Sequence, residues 1–303
     1  MFGTLLSGLA AVTVAGYFIA PARYFDVALR LQRRAAGLAD RQVEVDGHRI
    51  AYLDGGRGEP LLLLHGFGAS RDNWTPIARE LTRHFRVIAP DLPGYGDSSR
   101  RPEVGYSLED QLSRITGFTR ALGLTRFHLG GNSMGGYLAA HYAARNPAAV
   151  ASLWLLAPAG VMSAVPSEVM AALARGGNPL LVHSEADFEH VVDLCFVRAP
   201  WMPAAFRRVL ARRAMADAAF HARLFGELFE TPVAFEDALP GLALPTLICW
   251  GERDRILDAS GARILQALLP GSHLALMPDT GHVPMMEKPR ETAAHFLAFQ
   301  RGG

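Results

Sequence analysis

The stretch Leu129-Gly130-Gly131-Asn132-Ser133-Met134-Gly135-Gly136 sets a serine inside a Gly-x-Ser-x-Gly pattern. A serine hydroxyl is a weak nucleophile until it is presented to a base. A sharp turn from a strand into a helix does this by exposing the oxygen above a sheet. Glycines at 131 and 135 suit such a turn, because a side chain there would clash across it. The following helix also offers backbone N–H groups and the positive end of its dipole. Five residues of this kind recur by chance. The apolar run before them and the helical stretch after them give the pattern its weight.

The base has to come from elsewhere in the chain. Gly281-His282-Val283-Pro284 follows the last apolar run, which puts His282 on a loop at a strand's end. It is one of eleven histidines. Another, His65, directly precedes Gly66 and reads as a residue of backbone packing. An imidazole base needs a carboxylate to fix its tautomer. Trp250-Gly251-Glu252-Arg253-Asp254-Arg255 follows a further apolar run and supplies Asp254, with Glu252, Asp258 and Asp279 as rivals. Acidic residues after strands also serve as helix caps. The order Ser133, Asp254, His282 is nonetheless the nucleophile–acid–base order of one fold.

Negative charge developing on a carbonyl oxygen calls for N–H donors. His65-Gly66-Phe67-Gly68 follows an apolar run at 61–64, and the backbone N–H groups of Phe67 and Met134 are the expected oxyanion hole. Losing one such donor typically costs ~3 kcal/mol of transition-state stabilisation. Gly66-Phe67-Gly68 and Gly94-Tyr95-Gly96 lack the third glycine of a dinucleotide fingerprint. The sequence has no phosphate-binding loop with its lysine and no His-Glu-x-x-His or comparable metal spacing. The expectation is chemistry without cofactor or metal.

These residues need a scaffold, and the chain supplies alternating patterns for one. Segments 43–45 and 49–53 alternate around Asp46-Gly47, as in a hairpin. Short apolar runs at 61–64, 86–89, 127–129, 152–156, 246–250 and 273–277 read as core strands. Helical stretches fall at 73–82, 108–122, 134–145, 261–268 and 287–299. Such alternation implies an α/β fold, a mostly parallel eight-stranded sheet covered on both faces. The alternation breaks over 161–239, a proline-punctuated helical stretch that reads as a cap inserted between core segments 41–160 and 240–303. In the cap, no acid occurs between Asp193 and Asp217, where Arg198, Arg207, Arg208, Arg212 and Arg213 lie. With Phe206, Val209, Leu210 and Ala214 opposite, these suggest a helix packed on the core with a solvated basic face, or one lying on anionic lipid.

Composition removes other classes. Half of the 303 residues are apolar, which excludes a disordered chain. The net charge of +1 gives no field that would draw the protein to nucleic acid. Cys195 and Cys249 are the two cysteines, too few for a disulfide scaffold. Of 30 basic residues only Lys288 is lysine, the bias of a GC-rich bacterial genome.

The first forty residues stand apart. Met1 to Ala22 carry no charged side chain, and a helix of that length spans roughly 30 Å, the thickness of a bilayer core. No basic residue precedes the segment, and Ala20-Pro21-Ala22 is a poor cleavage site, so it reads as a retained anchor. Helical spacing continues over 24–38 with Arg30, Arg33 and Arg34, as in a helix that leaves the membrane. The expectation for 1–40 is a transmembrane and juxtamembrane helix in the bacterial inner membrane. The arginines that follow it favour a cytoplasmic body. Gly3, Gly8 and Gly16 offer small faces on which two copies could pair as a homodimer.

The serine motif, the acid and the histidine, together with Asp91-Leu92-Pro93-Gly94-Tyr95-Gly96-Asp97-Ser98, resemble the α/β-hydrolase superfamily over nearly all of 42–300. Segments 245–250, 257–262 and 281–290 are similar to the membrane-anchored monoacylglycerol lipase branch and to bacterial membrane phospholipase A. That resemblance implies hydrolysis of acyl esters of glycerolipids, glycerophospholipids or their lyso forms, with a lipid bilayer as partner. Gly131-Asn132-Ser133-Met134-Gly135-Gly136 also resembles serine-dependent C–C bond hydrolases, although those usually carry tryptophan where Val283 follows His282. Ser133 excludes dehalogenases and epoxide hydrolases, whose nucleophile is aspartate. A non-enzymatic ligand-binding protein on the same fold is the third reading.

Overall fold

The structure is a computed structural model and describes residues 19–302. Most of the uncharged segment from Met1 to Ala22, expected to span a bilayer, lies outside the described residues. Among the described residues no helix is long and apolar enough to cross a membrane.

Eight strands form one sheet: β1 (Leu38–Val45), β2 (His48–Gly55), β3 (Pro60–Leu64), β4 (Arg86–Pro90), β5 (Phe127–Asn132), β6 (Val150–Leu156), β7 (Thr246–Gly251) and β8 (His273–Met277). Their order is β1-β2-β4-β3-β5-β6-β7-β8. β1 and β2 run antiparallel to their neighbours, and all pairings from β4 onward are parallel. The hairpin turns at Asp46 (φ 50°) and Gly47 (φ 75°), both left-handed, which matches the twist of the flanking strands.

Successive strand residues point to opposite faces, and each face has its own core. Leu62, Leu64, Leu129 and Leu155 pack beneath α3 (Leu108–Ala121), α4 (Met134–Arg145) and part of the cap. Leu61, Leu63, Trp154 and Leu156 pack on the other side against Trp74, Ile77 and Phe296. There Trp154 stacks on Phe296 with centroids 4.3 Å apart. The helices on this second face are α2 (Thr75–Leu81) and α11 (Pro289–Gln300). β3 is buried on both faces, as a continuous apolar run requires.

Two helical expectations need correction. The stretch 287–299 is split into α10 (Pro284–Glu287) and α11, because Pro289 lacks an N–H and holds Lys288 out of the helical region at φ −131°, ψ 62°. The helix expected over 24–38 is α1 (Pro21–Ala35), which ends early. Gly37 (φ 77°) takes the left-handed stop, and Leu38 already pairs with Gly55 in β1. The sheet therefore begins at Leu38, inside the segment 1–40 expected to be helical.

Between β6 and β7 the chain forms α5 (Glu168–Ala174), α6 (Glu185–Cys195), the long α7 (Ala204–Phe229) and α8 (Phe235–Ala238). The basic stretch of α7 is partly paired: Arg207 meets Glu189 and Arg213 meets Asp26 of α1 at 2.7 Å. Phe206 of α7 packs edge-on against Phe25 of α1, centroids 5.3 Å apart. α1 is also fixed to the core, where Arg33 forks onto both oxygens of Asp72 (2.7 and 2.6 Å) and onto Asp40 (2.6 Å).

Candidate active site

Ser133 occupies the turn between β5 and α4, at φ 56°, ψ −118°. A non-glycine residue in this region costs on the order of 1–3 kcal/mol and persists only where its surroundings force it. The forcing contacts are visible. Ser133 N–H donates to Leu156 O (3.1 Å), and Ser133 O accepts from Tyr137 N (2.9 Å) and Ala159 N (3.1 Å). A Cβ on Gly131 would lie 2.2 Å from Gly135 O, and one on Gly135 would lie 2.2 Å from Leu64 O. Backbone touches backbone at this turn, so both positions have to be glycine.

His282 stands on the loop after β8, and Asp254 on the loop after β7. Adjacent parallel strands end side by side, which brings residues 28 apart in sequence together: His282 Nδ1 lies 2.7 Å from Asp254 Oδ2, both side chains buried. The other carboxylate oxygen, Oδ1, accepts from Ile256 N (2.8 Å) and Leu257 N (2.9 Å). With Asp254 ionised, Nδ1 carries the proton and Nε2 is the free base. The rivals are otherwise engaged. Asp258 accepts from Ser260 N at the start of α9 (Ser260–Leu268), Asp279 pairs with Arg253 at the surface, and Glu252 is exposed.

The two halves meet through the backbone. Asn132, next to the serine, donates from Nδ2 to His282 O and to Leu156 O, each at 3.0 Å. His282 N–H donates to Cys195 O (2.8 Å) at the end of α6. The thiol of Cys195 is pushed up to about 12, by burial and then by the nearby Asp254 charge, so it stays protonated. Glu287 accepts from Gly281 N (2.9 Å), Arg198 N (2.7 Å) and Val197 N (3.4 Å), clasping the histidine loop to the cap.

The loop after β3 lies against the serine. A Cβ on Gly66 would come within 3.3 Å of Ser133 Cβ. The ring of Phe67 packs edge-on with Phe225 (5.2 Å), His221 (5.7 Å) and Tyr95 (6.2 Å). Tyr95 hydroxyl reaches Met134 Sδ at 3.4 Å. His65 is a backbone clamp. Its Nε2 accepts from Leu92 N (2.9 Å), so Nδ1 carries the hydrogen and donates it to Gly66 O (2.8 Å). Burial lowers its pKa to about 4. Asp91 accepts from Arg71 N (2.7 Å), Arg71 Nη1 (2.5 Å) and Asp97 N (2.8 Å), so the 91–98 motif is scaffold behind this loop.

Cys195, Glu287 and His221 join the site without a sequence signal specific to them. Each acts through a tertiary contact, and only Glu287 falls in a stretch that stood out by resemblance. Among the described residues no group of three or more histidine, cysteine or acidic side chains could hold a metal ion.

Residues 59–289 match the family model described as alpha/beta hydrolase fold. Lipase 1 of Psychrobacter immobilis is 36% identical over 260 residues, 84% of this chain and 81% of that protein. Monoacylglycerol lipase abhd6-B of Xenopus laevis is 32% identical over 308 residues, covering 96% and 90%. Among solved structures, a membrane phospholipase A described as a novel bacterial virulence factor superposes with a TM-score of 0.92 at 44% identity, covering 99% of this chain and 98% of that one. A strained serine between two obligatory glycines, a histidine–aspartate pair after β7 and β8 and this match along most of the sequence agree: the chain belongs to the alpha/beta hydrolase fold family.

Proposed function

We propose that this protein is a serine-dependent lipolytic carboxylic-ester hydrolase that releases fatty acid from glycerophospholipids, lysophospholipids or monoacylglycerols. The observation that carries the reading is the buried 2.7 Å contact between His282 and Asp254, joined through Asn132 to the turn that presents Ser133. The lipase, monoacylglycerol lipase and phospholipase relatives support the ester class.

In this reading Ser133 Oγ attacks the ester carbonyl while His282 Nε2 takes its proton. Asp254 holds the imidazole in that tautomer and stabilises the imidazolium that forms. The N–H groups of Phe67 and Met134 bind the oxyanion. His282 then protonates the departing alcohol, and water, activated by the same imidazole, frees the fatty acid. These steps use protein groups alone. Residues 1–22 hold the enzyme at a bilayer as a single-pass bacterial inner-membrane protein, with 161–239 as the cap over the site.

The test is fatty-acid release by detergent-solubilised protein and its Ser133→Ala form from monoacylglycerol, lysophospholipid and diacyl phospholipid. Serine-dependent release is expected, and the ranking of the three names the subclass. Folded protein with no release from any of them would overturn the reading.

A further inference from the structure

Trp201 is 88% exposed, the most exposed large apolar side chain among the described residues, whereas Trp74, Trp154 and Trp250 are buried. It stands in Arg198-Ala199-Pro200-Trp201-Met202-Pro203, the link between α6 and α7, whose residues 198–201 are all exposed. A single exposed apolar side chain is common on folded proteins; this one is set apart by its place in an exposed, proline-flanked loop that carries Arg198. We propose that residues 198–202 dock into the interface of an anionic bilayer, with Trp201 inserted at head-group level. This is a second membrane contact beside the N-terminal segment, and it rests on the anchoring reading above.

Three observations point to lipid rather than protein. Through α7 the loop is linked to α1, the helix that follows the uncharged N-terminal segment in sequence. Phe206 and Arg213 of α7 hold Phe25 and Asp26 of α1, and α1 leads back through Ile19, 83% exposed, into the uncharged residues 1–18. Ile19 stands two residues before the first residue of α1, and Trp201 lies at most about 17 Å of extended chain from Phe206. A bilayer reached by one is therefore within reach of the other.

The charge is right for anionic head groups. No acid occurs from 194 to 216, and Arg198, Arg208 and Arg212 are exposed. Exposed arginines are attracted to such a surface, and tryptophan prefers its interface. The backbone suits insertion as well. Pro200 and Pro203 have no N–H to desolvate, and the loop's base is fixed where Glu287 accepts from Val197 and Arg198.

The test exploits the burial of the other three tryptophans. Full-length protein and its Trp201→Phe form are reconstituted in vesicles of phosphatidylglycerol and phosphatidylcholine. The acyl chains carry bromine near the head group or near the bilayer centre. The difference emission between the two proteins reports residue 201. It is expected to fall about twofold or more with shallow bromine and less with deep bromine. Protein that floats with the vesicles but shows no quenching overturns the inference. If Trp201 is also shielded from acrylamide, residues 1–18 or a second copy cover it instead. Protein that does not float overturns the anchoring reading, and the inference falls with it.

Discussion

The backbone N–H of His282 donates to the carbonyl of Cys195 at 2.8 Å, so the loop carrying the histidine is bonded directly to the last turn of a cap helix. A Cβ on Gly281 would lie 2.5 Å from the same carbonyl, so the two segments are in backbone contact. The cap is thus part of what holds the imidazole in place.

Glu287 is the clasp of that junction. Glu287→Ala is expected to lower kcat about tenfold or more with KM little changed, since small misplacements of a catalytic group cost rates of this order. Glu236 clasps Met162 and Ser163 of the cap in the same way, away from the histidine. Glu236→Ala should leave kcat within about twofold. Steady-state kinetics on a soluble short-chain ester, with melting curves for both variants, separates lost positioning from lost stability.

Asp254→Asn should lower kcat by roughly 10³–10⁴-fold while the protein stays folded. The asparagine has one acceptor oxygen for two tasks. If it serves Ile256 and Leu257, its amide faces His282 Nδ1, which must then accept. Nε2 becomes protonated and cannot take the Ser133 proton. Activity near the level of the unchanged protein would show that Asp254 does not orient the histidine.

Gly135→Ala puts a Cβ 2.2 Å from Leu64 O, so the strand and the helix start must separate. A loss of about 3 kcal/mol or more in denaturant unfolding, with loss of activity, is expected from such overpacking. Gly123 has φ 66° and open space around its missing Cβ. Gly123→Ala should cost only about 1–2 kcal/mol, the left-handed penalty alone.

Acid should destabilise the protein below neutrality. Burial lowers His65, His141 and His221 from 6.5 to about 4. Between these values the unfolded chain binds more protons than the folded one, so stability falls as pH drops from about 6.5 to about 4. Asp91 works the other way. Burial raises it from 3.8 to about 6, so its contribution is lost as pH rises through that range. The three histidines outnumber it. The fully buried His65 alone contributes on the order of 3 kcal/mol. Chemical denaturation at pH 7 and pH 5 should show the part of this loss that falls above pH 5, about 2 kcal/mol for His65, and His65→Asn should reduce the pH dependence.

The sequence by itself determined what is local. The strand–turn–helix around Ser133 could be read because the two glycines flank the serine between an apolar run and a helical stretch; Gly131 is demanded locally by Gly135 O, whereas Gly135 is demanded by Leu64 O of β3. The six parallel strands could be read because both faces of a covered parallel sheet are apolar, leaving runs such as 61–64, and the antiparallel hairpin could be read from alternation around Asp46-Gly47. The family could be read because the motif, the acid and the histidine occur in a fixed chain order. Tertiary structure alone decided the rest. Asp254 and Asp258 look alike in sequence, yet one faces His282 and the other starts a helix, because β7 and β8 end side by side. Cys195 reaches His282 across 87 residues of chain, Glu287 ties the histidine loop to Arg198 across 89, and His221 meets Phe67 across 154, as hydrogen bonds and ring contacts that no local pattern encodes. Trp201 looks like any other apolar residue until the fold buries Trp74, Trp154 and Trp250 and leaves it 88% exposed.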